Sequence, residues 1–183
     1  FDEVLKITDR PTGEVEGGLW DFAQGYAQLR EGHTDFAEVY LNRVRQTAST
    51  SEAQMRFHDA ETLLGTVAGI LDGELHRARG DLEEAIEAFQ GAVALEDTLV
   101  YDEPEPLPFA ARHWLGAALL ELERYVDAEK VYRDEIADHP HNGWSLFGLK
   151  MSIEAQGRTE TSVDRDLEQS WARSDTWLRA SRF

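Results

Sequence analysis

The stretch "ARHWLGAALLELERYVDAEKVYRDEIADHP", residues 111–140, decides the fold of this chain. It predicts two helices joined by a turn around Glu123, because small and large apolar residues recur along it at helical spacing. Its diagnostic residues occupy positions 7, 8, 20, 24 and 32 of a 34-residue unit that starts at Phe109: Leu115, Gly116, Ala128, Tyr132 and Pro140.

The same helix-turn-helix joint occurs four times along the chain. The four copies are "LREGHTDFAEVYLNRV" (29–44), "RARGDLEEAIEAFQGA" (77–92), "LELERYVDAEKVYRDE" (120–135) and "EAQGRTETSVDRDLEQ" (154–169). The turn position holds Gly32, Gly80, Glu123 and Gly157. Five residues later stand Ala37, Ala85, Ala128 and Ser162, whose small side chains let two helices approach closely.

These positions resemble the tetratricopeptide repeat family. The resemblance implies an all-α solenoid, a right-handed superhelix of helix pairs forming one structural domain. Its units are 18–51, 66–99, 109–142 and a degenerate, capping fourth unit, 143–176. Residues 1–17 end a preceding element, 52–65 extend the next helix backwards, 100–108 form an acidic proline-rich loop, and 177–183 are a tail. Departures from the family pattern are Lys150, Glu135, Asp166 and Gln169.

The resemblance extends to the C-terminal part of long bacterial tetratricopeptide proteins whose function is not established. It predicts that the chain contains a natural C-terminus and that further repeats precede Phe1. The first residue is phenylalanine and not methionine, so we expect that the chain is processed or cut from a longer protein. The compartment stays open, with the cytoplasm slightly favoured and the periplasm as the alternative.

In this family the first helix of each pair lines a concave groove. The resemblance therefore implies groove positions at Phe22, Tyr26, Leu29, Ile70, Glu74, Arg77, His113, Leu120, Trp144, Phe147 and Met151. The mostly apolar set predicts a surface that binds a peptide or helix of a partner protein, with aromatic anchors supplying most of the affinity. The anchors are Trp144, Phe147, Tyr26 and Phe22, and Arg77 and His113 supply polar selectivity.

An equally weighted alternative is that the protein covers this groove itself. The covering segment would be the proline-rich insert, the tail from Trp171 to Phe183, or repeats ahead of Phe1. The module would then be architectural, docking against the rest of its own chain or self-associating. The oligomeric state stays open.

Composition excludes several classes of function. The net charge of −18, from 36 acidic and 18 basic residues, disfavours nucleic acid and would suit a basic partner. No window is apolar enough to predict a transmembrane helix, so no membrane partner is expected. The absence of cysteine excludes disulfides, thiol nucleophiles and thiolate zinc sites.

Local patterns that resemble catalytic or metal chemistry are weak. His139-Pro140-His141 falls in an inter-repeat turn and lacks a third ligand, and the acidic residues of 100–108 lack a calcium-loop arrangement. The chain contains no common catalytic motif. We therefore predict no enzyme activity, no cofactor and no metal, and keep a metal-binding or enzymatic module as the least favoured alternative.

The tripeptide Arg79-Gly80-Asp81 could act as an adhesion tag or as a turn before a helix. Its glycine matches the glycines of the sister turns, and Asp81 can cap the first turn of the helix that follows. The turn therefore accounts for the tripeptide.

Overall fold

The computed structural model describes residues 1–182 and is all-helical apart from one short hairpin. The chain divides into two compact units, the first Phe1–Ala111 and the second beginning at Arg112. Each unit contains two helix-turn-helix pairs, in agreement with the predicted all-α class. Stacking of all four pairs into one continuous superhelix stays a prediction, as does the single structural domain.

The first unit begins with the short helix α1 (Asp2–Leu5), followed by the pairs α2 (Glu14–Arg30) with α3 (Thr34–Thr50) and α4 (Ala60–Arg79) with α5 (Leu82–Glu96). Each pair turns at a glycine with positive φ, +85° at Gly32 and +89° at Gly80. The left-handed backbone region is open to glycine without steric cost, which explains the residue chosen at both turns.

The second unit contains α6 (Arg112–Glu121) with α7 (Tyr125–Asp138), and α8 (Gly143–Ala155) with α9 (Thr161–Trp171). Gly157 turns the second pair with φ +71°, and Glu123 turns the first with φ +57°. Glu123 thus adopts the same left-handed backbone as the glycines. The sequence alignment of the four turns is confirmed even where the residue departs from glycine.

Close helix packing follows from the predicted small residues. Ala37, Ala85 and Ala128 are fully buried. The ring of Tyr132, on α7, lies against Gly116 on α6 and Gly148 on α8, where an added Cβ would come within 2.3 and 2.2 Å of the ring. Tyr132 is completely buried between these glycines and forms the centre of the second unit.

Two local expectations are wrong. Residues 52–65 do not all extend the next helix, because a hairpin of β1 (Gln54–Met55) and β2 (His58–Asp59) precedes α4. The Asp59 side chain accepts a hydrogen bond from the Thr62 N–H and thereby starts the helix. Asp81 stands at the N-cap position of α5, but its side chain makes no capping hydrogen bond.

The proline-rich insert 100–108 is irregular, as predicted. It is fastened to the hairpin by Arg56, whose guanidinium donates to the Asp102 carboxylate and to the carbonyls of Glu103 and Pro104. The acidic insert is therefore paired with Arg56, a cation that belongs to the same unit.

Candidate functional site

The predicted groove residues of the first unit are largely buried. Phe22 and Tyr26 are 6% and 2% exposed, and Leu29 and Ile70 are buried as well. The Phe109 ring lies 5.9 Å from the Phe22 ring. Own-chain aromatic residues therefore reach the face that the sequence assigned to a partner.

Glu74 and Arg77 form an ion pair one turn apart on α4. The Arg77 Nε lies 3.1 Å from a Glu74 carboxylate oxygen. The Glu74 side chain is 2% exposed and that of Arg77 is 24% exposed, so the arginine supplies the outward-facing part of this pair.

In the second unit the predicted groove residues range from buried to exposed. His113 is buried and its Nε2 lies 3.1 Å from the Ser145 hydroxyl. Leu120, Trp144 and Phe147 are half-buried, and Met151 is exposed. Trp144 packs edge-on against Trp171, with ring centroids 5.6 Å apart. Met151 is therefore the exposed apolar member of the set in this unit, and Phe147 remains partly accessible.

Burial governs the protonation of this second-unit cluster. Desolvation, with a smaller contribution from the charge of His139, lowers the pKa of His113 to about 4. Burial also raises the pKa of Glu135, opposed by the charge and hydrogen bond of His139, whose Nδ1 is 2.7 Å away. His113 is therefore a neutral structural histidine at neutral pH.

The C-terminal residues cover part of α6 and α7. The Ser181 hydroxyl lies 2.6 Å from the Tyr132 hydroxyl and donates to the His113 carbonyl at 3.0 Å. Ser181 is 2% exposed, and the side chain of Arg182 is 8% exposed beside Glu121. We call residues 172–182 the C-terminal tail. Phe183, the last residue of the tail named from sequence, lies outside the described residues.

A second own-chain segment lies on α2. We call residues 1–13 the N-terminal strap. The Gln24 amide donates to the carbonyls of Val4 (2.7 Å) and Ile7 (3.1 Å), and the Trp20 indole N–H donates to the Ile7 carbonyl at 3.2 Å. Trp20 and Gln24 thus bind only main-chain atoms of the strap, and these contacts do not depend on the residue types in the strap.

Side chains of the strap make two further contacts with α2. The Arg10 Nε and Nη2 donate to Asp21 Oδ2 at 3.1 and 2.8 Å. At the other end, the Phe1 ring lies 5.7 Å from the Tyr26 ring and beneath the Arg30 guanidinium, 5.5 Å from its carbon. The strap is thus held by an arginine, backbone carbonyls and an aromatic ring.

The arginine lies in a slot formed by Gly17 and Asp21, one helical turn apart. A Cβ at residue 17 would lie only 2.5 to 2.8 Å from the Arg10 guanidinium atoms, so the glycine makes room for the cation. Asp21 is 1% exposed, and its Oδ1 has no hydrogen-bond partner within residues 1–182. The slot therefore combines space, negative charge and a carboxylate oxygen that accepts no hydrogen bond within residues 1–182.

Sequence reasoning placed Tyr26 and Phe22 on α2 but missed Gly17, Asp21 and Gln24. The available signal was the presence of Asp21 and Gln24 three residues apart within the apolar run of "GGLWDFAQGYAQL" (17–29). Polar side chains at buried helical positions require partners, and that requirement could have directed attention to this face.

Two of the residues weighed for metal binding, His139 and Asp102, have protein partners. His139 faces Glu135, and Asp102 faces Arg56 and His58, whose Nε2 is 3.4 Å from the carboxylate. Across residues 1–182 no group of three or more histidine, aspartate or glutamate side chains is arranged to hold a metal ion. Among the helices in that range, none is long and apolar enough to cross a membrane.

Comparison with protein-family models, curated proteins and solved structures finds no match for this chain. The resemblance to the tetratricopeptide family therefore stays a prediction drawn from the residues themselves. The candidate functional site is the face of α2 on which Trp20, Asp21 and Gln24 bind the strap.

Proposed function

We propose that this protein is a non-catalytic interaction scaffold that binds a peptide or helix of a partner protein. In this proposal its helix pairs form a tetratricopeptide-type superhelix, and α2 belongs to the binding face. The observation that carries the proposal is the way α2 holds the strap: Trp20 and Gln24 donate to main-chain carbonyls. Donors aimed at backbone carbonyls can hold segments of many sequences, as peptide-binding surfaces do.

Charge supports a partner that is basic. The chain carries a net charge of −18, so it attracts cationic segments and repels phosphate backbones. In the second unit, Phe147 and Met151 offer further apolar contact to a bound segment.

A second candidate function is architectural. Own-chain segments lie on predicted groove residues in each unit, the strap on Tyr26 and the tail on the backbone of His113. This observation favours a module whose faces dock against its own chain or against another copy of itself.

A peptide-display selection separates the two functions. Random 12-residue peptides would be selected on the immobilised full chain, and enriched families would be resynthesised and titrated in solution. The scaffold proposal expects families rich in lysine and arginine that bind the folded protein and not the heat-denatured protein. The selection is run in parallel on an Arg10→Ala chain, in which the strap is held less firmly. Failure of any family to enrich on either folded chain would reject the scaffold proposal in favour of the architectural one.

The aromatic anchors have their own test within this experiment. Phe147→Ala should weaken a peptide that uses the second unit by about tenfold or more, the loss typical of a true anchor. Val126→Ala is the matched control, since Val126 is 69% exposed and is not a predicted groove residue.

A further inference from the structure

The strap is attached to α2 by specific polar contacts but by little buried surface. None of the residues 1–13 is buried, and only Val4 and Leu5 are half-buried. The residues of α2 that the strap contacts are, in contrast, almost fully buried, as Asp21, Gln24 and Tyr26 show. A segment that buries so little apolar area can detach without disturbing the core.

The slot under Arg10 is only partly used. Both guanidinium contacts go to Asp21 Oδ2, while Oδ1 is buried and lacks a hydrogen bond within residues 1–182. A second cation approaches this oxygen at longer range, with the Arg43 Nη1 3.8 Å from Oδ1. A guanidinium binds a carboxylate best when two parallel N–H groups meet the two oxygens, which Arg10 does not achieve.

The strap is also a poor electrostatic match for this protein. It contains Asp2, Glu3 and Asp9 against Lys6 and Arg10, while the whole chain carries −18. A segment with the same arginine and without the acidic residues would be attracted more strongly.

We infer that the α2 face is an arginine-recognition site for a basic segment of a partner protein, and that the strap occupies this site as an internal competitor. The inference rests on the proposed scaffold function and specifies its site, partner chemistry and regulation. Gly17 and Asp21 select the arginine, whereas Trp20 and Gln24 hold the main chain that precedes it. The arginine therefore determines specificity and the carbonyl contacts tolerate varied sequences.

Competition by the strap follows from its attachment. Only Pro11, Thr12 and Gly13 separate Arg10 from the start of α2 at Glu14. A tether this short gives an effective concentration on the order of millimolar, which a free segment must overcome. Weakening the strap should therefore increase the affinity for a segment supplied in trans.

The test uses the full chain and a fluorescein-labelled peptide, FNQVLKITNRPT, in which Asn, Gln and Asn stand where the strap has Asp2, Glu3 and Asp9. Binding is measured by fluorescence anisotropy. The Arg10→Ala protein should bind this peptide about tenfold or more tightly than the wild type, because its own strap competes less. A peptide with lysine in place of its arginine should lose about tenfold or more, because lysine lacks the planar fork.

Two further variants locate the site. Asp21→Asn removes the charge and Gly17→Ala fills the slot; each, combined with Arg10→Ala, should reduce affinity by about tenfold or more. Gly17→Ala favours the helix, so it serves if Asp21→Asn unfolds, which circular dichroism would report. Asp72→Asn with Arg10→Ala is the matched control, since Asp72 lies on α4 and pairs with Arg45 of α3, and it should leave affinity unchanged.

The outcomes separate this inference from the function on which it rests. Equal binding by wild type and Arg10→Ala, or binding indifferent to Gly17→Ala and Asp21→Asn, would reject the arginine site. If display selection nevertheless yields binding peptides, the scaffold function stands and its site lies elsewhere. If neither experiment yields binding, both proposals fail.

Discussion

The N-terminal strap and the C-terminal tail are attached to their units in different ways. The N-terminal strap leaves all its residues accessible and is held from below by Trp20, Asp21 and Gln24. The C-terminal tail inserts Ser181, 2% exposed, against the hydroxyl of Tyr132 in the second unit. The strap lies on the surface of its unit, whereas the tail supplies a member of a buried hydrogen-bond network.

This difference determines what each segment can do. A buried polar group that loses its partner destabilises the fold, so the tail belongs to the structure of its unit. The groups under the strap can be rehydrated when it detaches, so its loss is local. A segment of the second kind suits regulation, because it can exchange with a partner at modest cost.

The largest expected effect is at the residue that the tail covers. Tyr132→Ala should lower the free energy of unfolding by about 4 kcal/mol, because it empties the space between Gly116 and Gly148. Urea denaturation measures the effect, with the exposed Val126→Ala as the control. A loss below about 1 kcal/mol would remove Tyr132 from its place at the centre of the unit.

The next effect is a dependence on pH. The pKa of His113 is lowered to about 4 in the fold from 6.5, so the unfolded chain binds the extra proton between these values. Stability should fall by about 3 kcal/mol as pH drops from 6.5 to 4. Glu135 acts in the opposite sense because its pKa is raised.

His113→Gln isolates the histidine contribution, since glutamine can bond to Ser145 without titrating. On acidification from pH 7 to pH 4, the wild type should lose more unfolding free energy than this variant, because only the wild type carries His113. A difference in unfolding free energy between the two proteins that stays constant from pH 7 to pH 4 would contradict the assignment.

A smaller loss is expected when the tail contact alone is removed. Ser181→Ala leaves the buried Tyr132 hydroxyl without this partner, which should cost about 2 kcal/mol. Amide hydrogen exchange in residues 172–182 should also accelerate. Ser174→Ala, at an exposed position, provides the comparison. An unchanged stability would place the tail in the same class as the strap.

The smallest effect concerns the strap. Arg10→Ala should lower the free energy of unfolding by only about 1 kcal/mol, because the Arg10 side chain is 40% exposed and Asp21 regains water when the strap lifts. Hydrogen exchange should accelerate in residues 1–13, with Arg45→Ala as the surface control. A loss as large as that of Tyr132→Ala would show that the strap is structural.

Much of the fold was predictable because it depends on local chemistry. The turns at Gly32, Gly80 and Gly157 were predictable from the glycine itself. The turn at Glu123 was predictable only from the spacing of the repeats, because glutamate does not indicate a turn. The hairpin before α4 was missed, because "SEAQMRFHDAETLL" (51–64) contains residues that also suit a helix.

The candidate site was less predictable. Family resemblance selected Tyr26 and Phe22 by position, but the strap reaches α2 through Asp21 and Gln24, which lie on neighbouring positions of the same helix. Glu135 was visible as a departure from alanine, yet only the fold shows it buried and facing His139.

By itself the sequence determined the helix pairs, their turns and the small residues at their contacts, since these follow from backbone freedom and side-chain size within a few residues. Tertiary structure alone decided that Arg10 would meet Asp21 and that Ser181 would meet Tyr132. Those pairs are 11 and 49 residues apart, and no local preference encodes which distant side chain satisfies a buried polar group.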